Sequence, residues 1–261
     1  MAAEAFRGLR LAEVEDNIAL LRRFGAGKGK LLEIGAGRGW QAKALADAGY
    51  KVEAIDLPLD SGISGHAAAR EWPIRDYDGA HIPFPDRTFD VIYSSNVLEH
   101  VEQLDSLSAD TKRVLKRGGI ALHLVPNPQW RLLSLLTYYP GQAVDFLRWR
   151  RRKRASTEGS TQLSPTPASR GLLGKAVRRL VPPTHGAEGN ALTEIARFSK
   201  ARWDAFFERT GWDVLYYSNN GLAASGDYLL GTAMSMETRR QIGRIMGGIA
   251  HVYIVRPRRG A

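Results

Sequence analysis

One short stretch constrains this chain more than any other. Residues 30–34 (KLLEI) are a brief, largely apolar run, and Gly35, Gly37 and Gly39 follow at alternate positions. Glycine lets a backbone turn sharply and lets a ligand approach it closely, so the stretch reads as a buried strand ending in a tight turn. From Gln41 to Ala48 the composition suits a helix closed by Gly49, and 51–56 (KVEAID) reads as a second strand. Strand, glycine turn, helix and strand make a βαβ unit, which implies a parallel sheet with right-handed crossovers.

The same rhythm extends through most of the chain. Upstream, 4–24 carries Phe6, Leu9, Val14, Ile18 and Leu21 near one face and reads as an amphipathic helix. Downstream, 89–94 (FDVIYS) and 120–125 (IALHLV) read as strands. A helix lies between them from Ala109 to Lys116, stopped by Gly118-Gly119. A helix over about 192–209, a strand at 212–217 and a last strand at 250–255 complete the pattern; the glycine-rich 218–248 fits no element clearly. There are no cysteines, which excludes disulfides, iron–sulfur clusters and thiolate zinc sites. The start, MAAEAFRGLR, has no apolar secretory core, and no stretch is long and apolar enough to span a membrane. The expected setting is cytoplasmic.

Residues 126–190 break the rhythm and read as an insertion between 1–125 and 191–261. Within it eleven Lys or Arg face three acids, which supplies eight of the ten net positive charges of the 261-residue chain. Its first part is aromatic and leucine-rich, and six basic residues then fill the seven positions from Arg148 to Arg154. Pro140-Gly141 should divide the stretch into two short helices, and 155–169 resembles a linker in composition.

The glycine turn departs from the nicotinamide fingerprint. Its third glycine comes one position early, and Trp40 stands where that fingerprint needs a small residue. Asp56 closes the second strand, where a carboxylate can accept two hydrogen bonds from a ribose diol. The next stretch is DYDGAHIPFPDRTFDVIYSSNVLEHV. It holds Asp78 four residues before Ile82-Pro83-Phe84, then Pro85-Asp86, Phe89-Asp90, and Leu98-Glu99-His100; KRVLKRGG follows before the next strand.

Together with Glu33 in the spacing E-x-G-x-G-x-G, these motifs resemble the class I S-adenosylmethionine-dependent methyltransferases. Within that class they resemble the type-11 subgroup, which includes the quinone-pathway C-methyltransferases. The resemblance spans roughly 30–125 and, more loosely, 192–257. It implies a Rossmann-like α/β fold: a mostly parallel seven-stranded sheet, helices on both faces, and an insertion after the fifth strand. It implies S-adenosylmethionine as cofactor. Carried over by position, Gly35, Ala36 and Gly37 belong to the methionine side, Asp56 to the ribose, and Asp78 and Gly79 to the adenine, with Glu33 and Leu57 also counted among the cofactor-binding residues. Asn96 belongs beside the sulfonium. Asp90 and His100 read as structural.

Methyl transfer depends chiefly on placing the nucleophile against the methyl group, with a general base helping hydroxyl or carbon acceptors. The candidate base is His185, in PPTHGAEGN, where the chain re-enters the core pattern. An N-P pair at Asn127-Pro128 follows the fifth strand and not the fourth, which weakens a DNA-base reading. The insertion suits three roles: an anionic membrane interface, a lid over the substrate, or a nucleic-acid contact. The acceptor is therefore expected to be a small molecule, a lipid-linked compound or a glycan. RNA methylation, or a silent cofactor-binding partner subunit, is the alternative. A peripheral position on the inner membrane face would accompany the first role.

Overall fold

The computed structural model describes residues 2–58, 70–157, 193–224 and 234–258. Seven strands form one sheet: β1 (Gly29–Ile34), β2 (Tyr50–Asp56), β3 (Arg75–Asp76), β4 (Phe89–Ser95), β5 (Leu115–Pro126), β6 (Trp212–Asn219) and β7 (Ala250–Pro257). Their order across the sheet is β3-β2-β1-β4-β5-β7-β6. The pairs from β3 to β5 are parallel, and β7 runs antiparallel to both neighbours.

Alternation along the strands divides the core in two, because successive side chains point to opposite faces. Leu32, Ile92, Ala121 and Tyr253 face α3 (Leu104–Val114) and α6 (Lys200–Arg209), where Leu107, Val114, Trp203, Phe206 and Phe207 pack. Leu31, Val91, Leu122 and Val252 face α1 (Ala2–Arg23) and α2 (Trp40–Asp47), where Val14, Ile18, Leu21 and Leu45 pack. Each fully buried large side chain contributes about 1.5–3 kcal/mol relative to exposure. Polar ties fasten the second layer: Asn17 Nδ2 and Gln41 Nε2 both donate to the buried Tyr93 hydroxyl at 3.2 Å.

Several boundaries differ from the sequence expectation. The helix expected over 109–116 spans Leu104–Val114, and β5 starts at Leu115, upstream of the glycine pair. Phe89 pairs with Leu115 but Val91 with Ile120, so Lys116–Gly119 is accommodated as an irregularity opposite Asp90. Asp90 is indeed structural: its carboxylate accepts from the Lys30 amide and from Lys116 Nζ, each at 2.8 Å.

The helix expected over 192–209 is two, α5 (Thr193–Arg197) and α6. Ser199 divides them, because its extended backbone and its hydroxyl, which accepts from the Arg202 amide, start a new helix. Within 218–248 lies α7 (Met236–Met246), capped by Ser235 and closed by left-handed Gly247.

The insertion opens as one helix, α4 (Pro128–Thr157), which runs through Pro140 where two helices were expected. Proline removes the donor for the carbonyl four residues back, at Leu136. Leu136 is 66% exposed, so that carbonyl lies on a side of the helix open to water and the interruption is tolerated. Among the described residues, no helix is long and apolar enough to cross a membrane.

Candidate functional site

The strand order reverses between β1 and β4: the chain steps outward through β2 and β3 on one side, and through β5 on the other. In an open parallel sheet this switch point leaves a crevice at the carboxyl ends of the strands. A cavity of about 430 Å³ lies there. Its wall is built from four segments: the turn after β1, the end of β2, the 77–80 turn after β3, and the 96–103 segment after β4.

The turn after β1 is held close to the sheet. The Gly35 and Ala36 amides donate to the Ile55 carbonyl at 2.9 and 3.1 Å. Gly35 is left-handed, with φ 74°, and a Cβ there would collide with Val97. Only glycine combines that backbone with that approach. Across the crevice Asn96 also adopts a left-handed conformation, with φ 56°, and its amide donates to the Leu124 carbonyl at 2.8 Å. Asparagine tolerates this region better than other non-glycine residues. It ends β4 with a sharp change of direction, and a 3-10 turn, Leu98–His100, follows.

Asp56 ties the two sides of the crevice floor. Its carboxylate accepts from the Gly37 amide and, at 2.7 Å, from the Leu57 amide. Asp78 organises the turn after β3. It accepts from the Ala80 and His81 amides at 2.8 and 2.7 Å, and its other oxygen meets His81 Nδ1 at 2.9 Å. Those donors hold its carboxyl down at about 2, well below the ordinary range.

Of the expected cofactor residues, Gly35, Gly37, Asp56, Leu57, Asp78, Gly79 and Asn96 all line this cavity. Ala36 and Glu33 do not. Both are buried behind the glycine turn, and Glu33 Oε2 has no hydrogen-bond partner. Burial, reinforced by the neighbouring Asp56 carboxylate, pushes Glu33 up to about 8 against the donated Ala42 amide. Glu33 therefore sits protonated at neutral pH, a support under the turn more than a wall of the cavity. His185 lies outside the described residues.

The structure adds wall residues that the sequence reading left aside: Tyr77, Val97, His100 and Val101–Gln103. The signal for most of them was their adjacency to Asp78 and Asn96. His100, read as structural from the sequence, is part of the cavity wall. Burial lowers its pKa below the ordinary value, with the Glu194 carboxylate partly opposing, so its imidazole is neutral at pH 7. Among the described residues, no group of three or more His, Asp or Glu could hold a metal ion.

Residues 32–123, which contain all four wall segments, match the family model for the type-11 methyltransferase domain. This stretch is a type-11 methyltransferase domain. Relatives agree. A protein of Mycolicibacterium smegmatis described as a probable S-adenosylmethionine-dependent methyltransferase is 33% identical over 115 residues, 43% of this chain and 41% of that one. An uncharacterized methyltransferase of Mycobacterium leprae is 32% identical over 149 residues, 54% of this chain and 55% of that one. The chain thus spans about half of the length of these curated relatives, or less. A solved structure concerned with converting a disulfide bond into a thioacetal group during echinomycin biosynthesis shares the fold. It has TM-score 0.51 and 16% identity, over 94% of this chain and 82% of that one.

The methyltransferase domain takes S-adenosylmethionine as its cofactor. The residues present fit that molecule. The Asp56 carboxylate spends one lone pair per oxygen on backbone amides and keeps others for a ribose diol. The close packing of Gly35 on Val97 leaves a backbone surface against which a methionine moiety can lie. Gly79, with φ 87°, carries the chain along the cavity wall without a side chain.

Proposed function

We propose that this chain transfers the methyl group of S-adenosylmethionine to a small-molecule or lipid-linked acceptor. The observation that carries this reading is the cavity at the switch point, walled by the glycine turn, Asp56, Asn96 and His100. When bound, the cofactor supplies an electrophilic methyl group on a cationic sulfonium. The chain's own residues bind, orient and exclude water. Asp56 accepts from the ribose, the 78–80 turn borders the adenine, and the left-handed Asn96 directs its backbone toward the methionine side.

Proton removal from the acceptor is assigned to His100. Its ring is neutral at pH 7, it borders the cavity, and the 3-10 turn fixes it one helical step from Val97. The His185 reading is a rival that rests on sequence position alone. Replacing His100 with Ala, assayed at saturating cofactor, should lower kcat by about a hundredfold or more while cofactor affinity holds. Near-normal turnover would remove His100 from the chemistry.

The acceptor itself is found by radiolabelled methyl transfer into the lipid, glycan, RNA and small-molecule fractions of an extract of the source organism. Label in the lipid or small-molecule fraction supports the reading, and label confined to RNA overturns it. Cofactor binding with no label in any fraction would indicate a silent partner subunit.

A further inference from the structure

The N-terminal half of α4 is fastened to the body of the molecule along one side. Asn127 caps it, accepting from the Trp130 amide at 2.9 Å and donating to the Gly248 carbonyl at 3.2 Å. Arg131 and Glu194, both buried, form an ion pair at 2.7 Å, and Tyr138 is 5% exposed. Trp130 packs beside Phe198 and against the cluster of Leu9, Leu222 and Ile249. These contacts satisfy the inward face of the helix.

The opposite face is apolar as well. Leu132, Leu136, Tyr139 and Leu147 are 51%, 66%, 53% and 55% exposed. At about 100° per residue these four positions fall within roughly 80° of arc, on the far side from Arg131 and Tyr138. Exposed Arg150 continues the same line. A surface helix ordinarily turns polar residues outward, and scattered exposed leucines would need no account. A ridge of four large apolar side chains along one helix, backing an already satisfied inner face, does need one.

The charge on the helix says what covers the ridge. The apolar stretch runs into Arg148–Arg154, with six basic residues in seven positions, and Asp145 is the one acid in the helix. Nucleic acid would answer the arginines but leave the leucines in water. A second copy of the chain would bring two such basic runs into one assembly. A lipid surface answers both: acyl chains take the ridge and anionic headgroups take the run. We propose that α4 is a helix that lies in the plane of an anionic membrane surface, with the Leu132–Leu147 ridge seated at the boundary of headgroups and acyl chains. This goes beyond the methyl-transfer reading and does not depend on it. Since α4 leaves directly from β5, docking also fixes which side of the molecule faces the bilayer.

The test is flotation of the full chain with vesicles of phosphatidylcholine and phosphatidylglycerol, and with vesicles of phosphatidylcholine alone. The protein should float with the mixed vesicles at low salt, less so at high salt, and weakly or not at all with phosphatidylcholine alone. Leu132→Ser combined with Leu136→Ser and Leu147→Ser should reduce the floating fraction at least about tenfold, because the three sites are exposed and contribute little to the core. Replacing Arg150, Arg151, Arg152 and Lys153 with Gln should remove the dependence on phosphatidylglycerol. Both variants should keep the thermal unfolding midpoint and the S-adenosylhomocysteine affinity of the parent. No flotation of the parent at low salt overturns the proposal, as does undiminished flotation of the leucine variant. A dimer in sedimentation velocity that the leucine variant dissociates would assign the ridge to a second copy and overturn it. Tight binding to single-stranded RNA that only the glutamine variant loses, without flotation, would assign the run to nucleic acid and overturn it.

Discussion

Asp56 performs two tasks with one carboxylate. Toward the protein it accepts the Gly37 and Leu57 amides and so holds the glycine turn against the end of β2. Toward the cavity its remaining lone pairs are free to accept from a ligand, which we propose is a ribose diol. Asp56→Ala should weaken S-adenosylhomocysteine binding about ten- to a hundredfold, since hydrogen bonds to a charged group are worth about 1.5–3 kcal/mol. Calorimetric titration checks it, and unchanged affinity would remove the ribose role. The legible part of the site follows the same logic. Gly35 and Asp56 could be read from sequence because their backbone and chemical demands admit few residue types. Tyr77 and Val101–Gln103 could not, because they reach the cavity by the course of a turn that leaves no compositional mark.

At the scale of elements, strands and helix types were legible where apolar periodicity was strong, and boundaries were lost where a single residue decided them. Ser199 splits one expected helix by capping a new one, and Pro140 fails to split another because the carbonyl it strands is near water. The docking of α4 rests on an interaction no periodicity could reveal, the buried pair of Arg131 with Glu194 at 2.7 Å. Arg131→Met leaves a buried carboxylate without its principal counter-charge and should cost about 3–5 kcal/mol in urea unfolding. Adding Glu194→Leu should recover most of that loss. A double variant as unstable as the single one would show that the pair contributes more than charge balance. Because Glu194 also bears on the His100 imidazole, the single Arg131 variant should disturb the pH profile of turnover where a purely packing change would not.

Across the whole molecule, two buried glutamates set how stability responds to pH. Glu33 and Glu99 are each pushed by burial from 4.5 to about 8. Between those values the folded chain retains protons that the unfolded chain has released, so raising the pH favours unfolding. The buried His123 and His251, and the partly exposed His100, are shifted below 6.5 and act in the opposite sense, but only below that value. From about pH 6.5 to 8 the glutamates therefore dominate the difference, and stability without ligand should fall as pH rises. Glu33→Gln should flatten that slope in urea titrations run across the window. An identical slope in parent and variant would mean that Glu33 is ionised in the folded state.

The place of β7 bears on how the chain comes to be folded at all. Among the described residues it is the last strand in the sequence, yet it lies inside the sheet, between β5 and β6. On the ribosome, β1 to β5 can assemble their parallel half as they emerge, with the cavity walls largely in place. β5 then offers a row of unpaired amides and carbonyls, and β6 has no neighbour to join, until residues 250–257 arrive. For that interval the nascent chain carries an open, sticky seam, the kind of edge through which chains pair with the wrong partner. The insertion of β7 zips both sides at once and closes the seam through which the molecule could pair with its own copies.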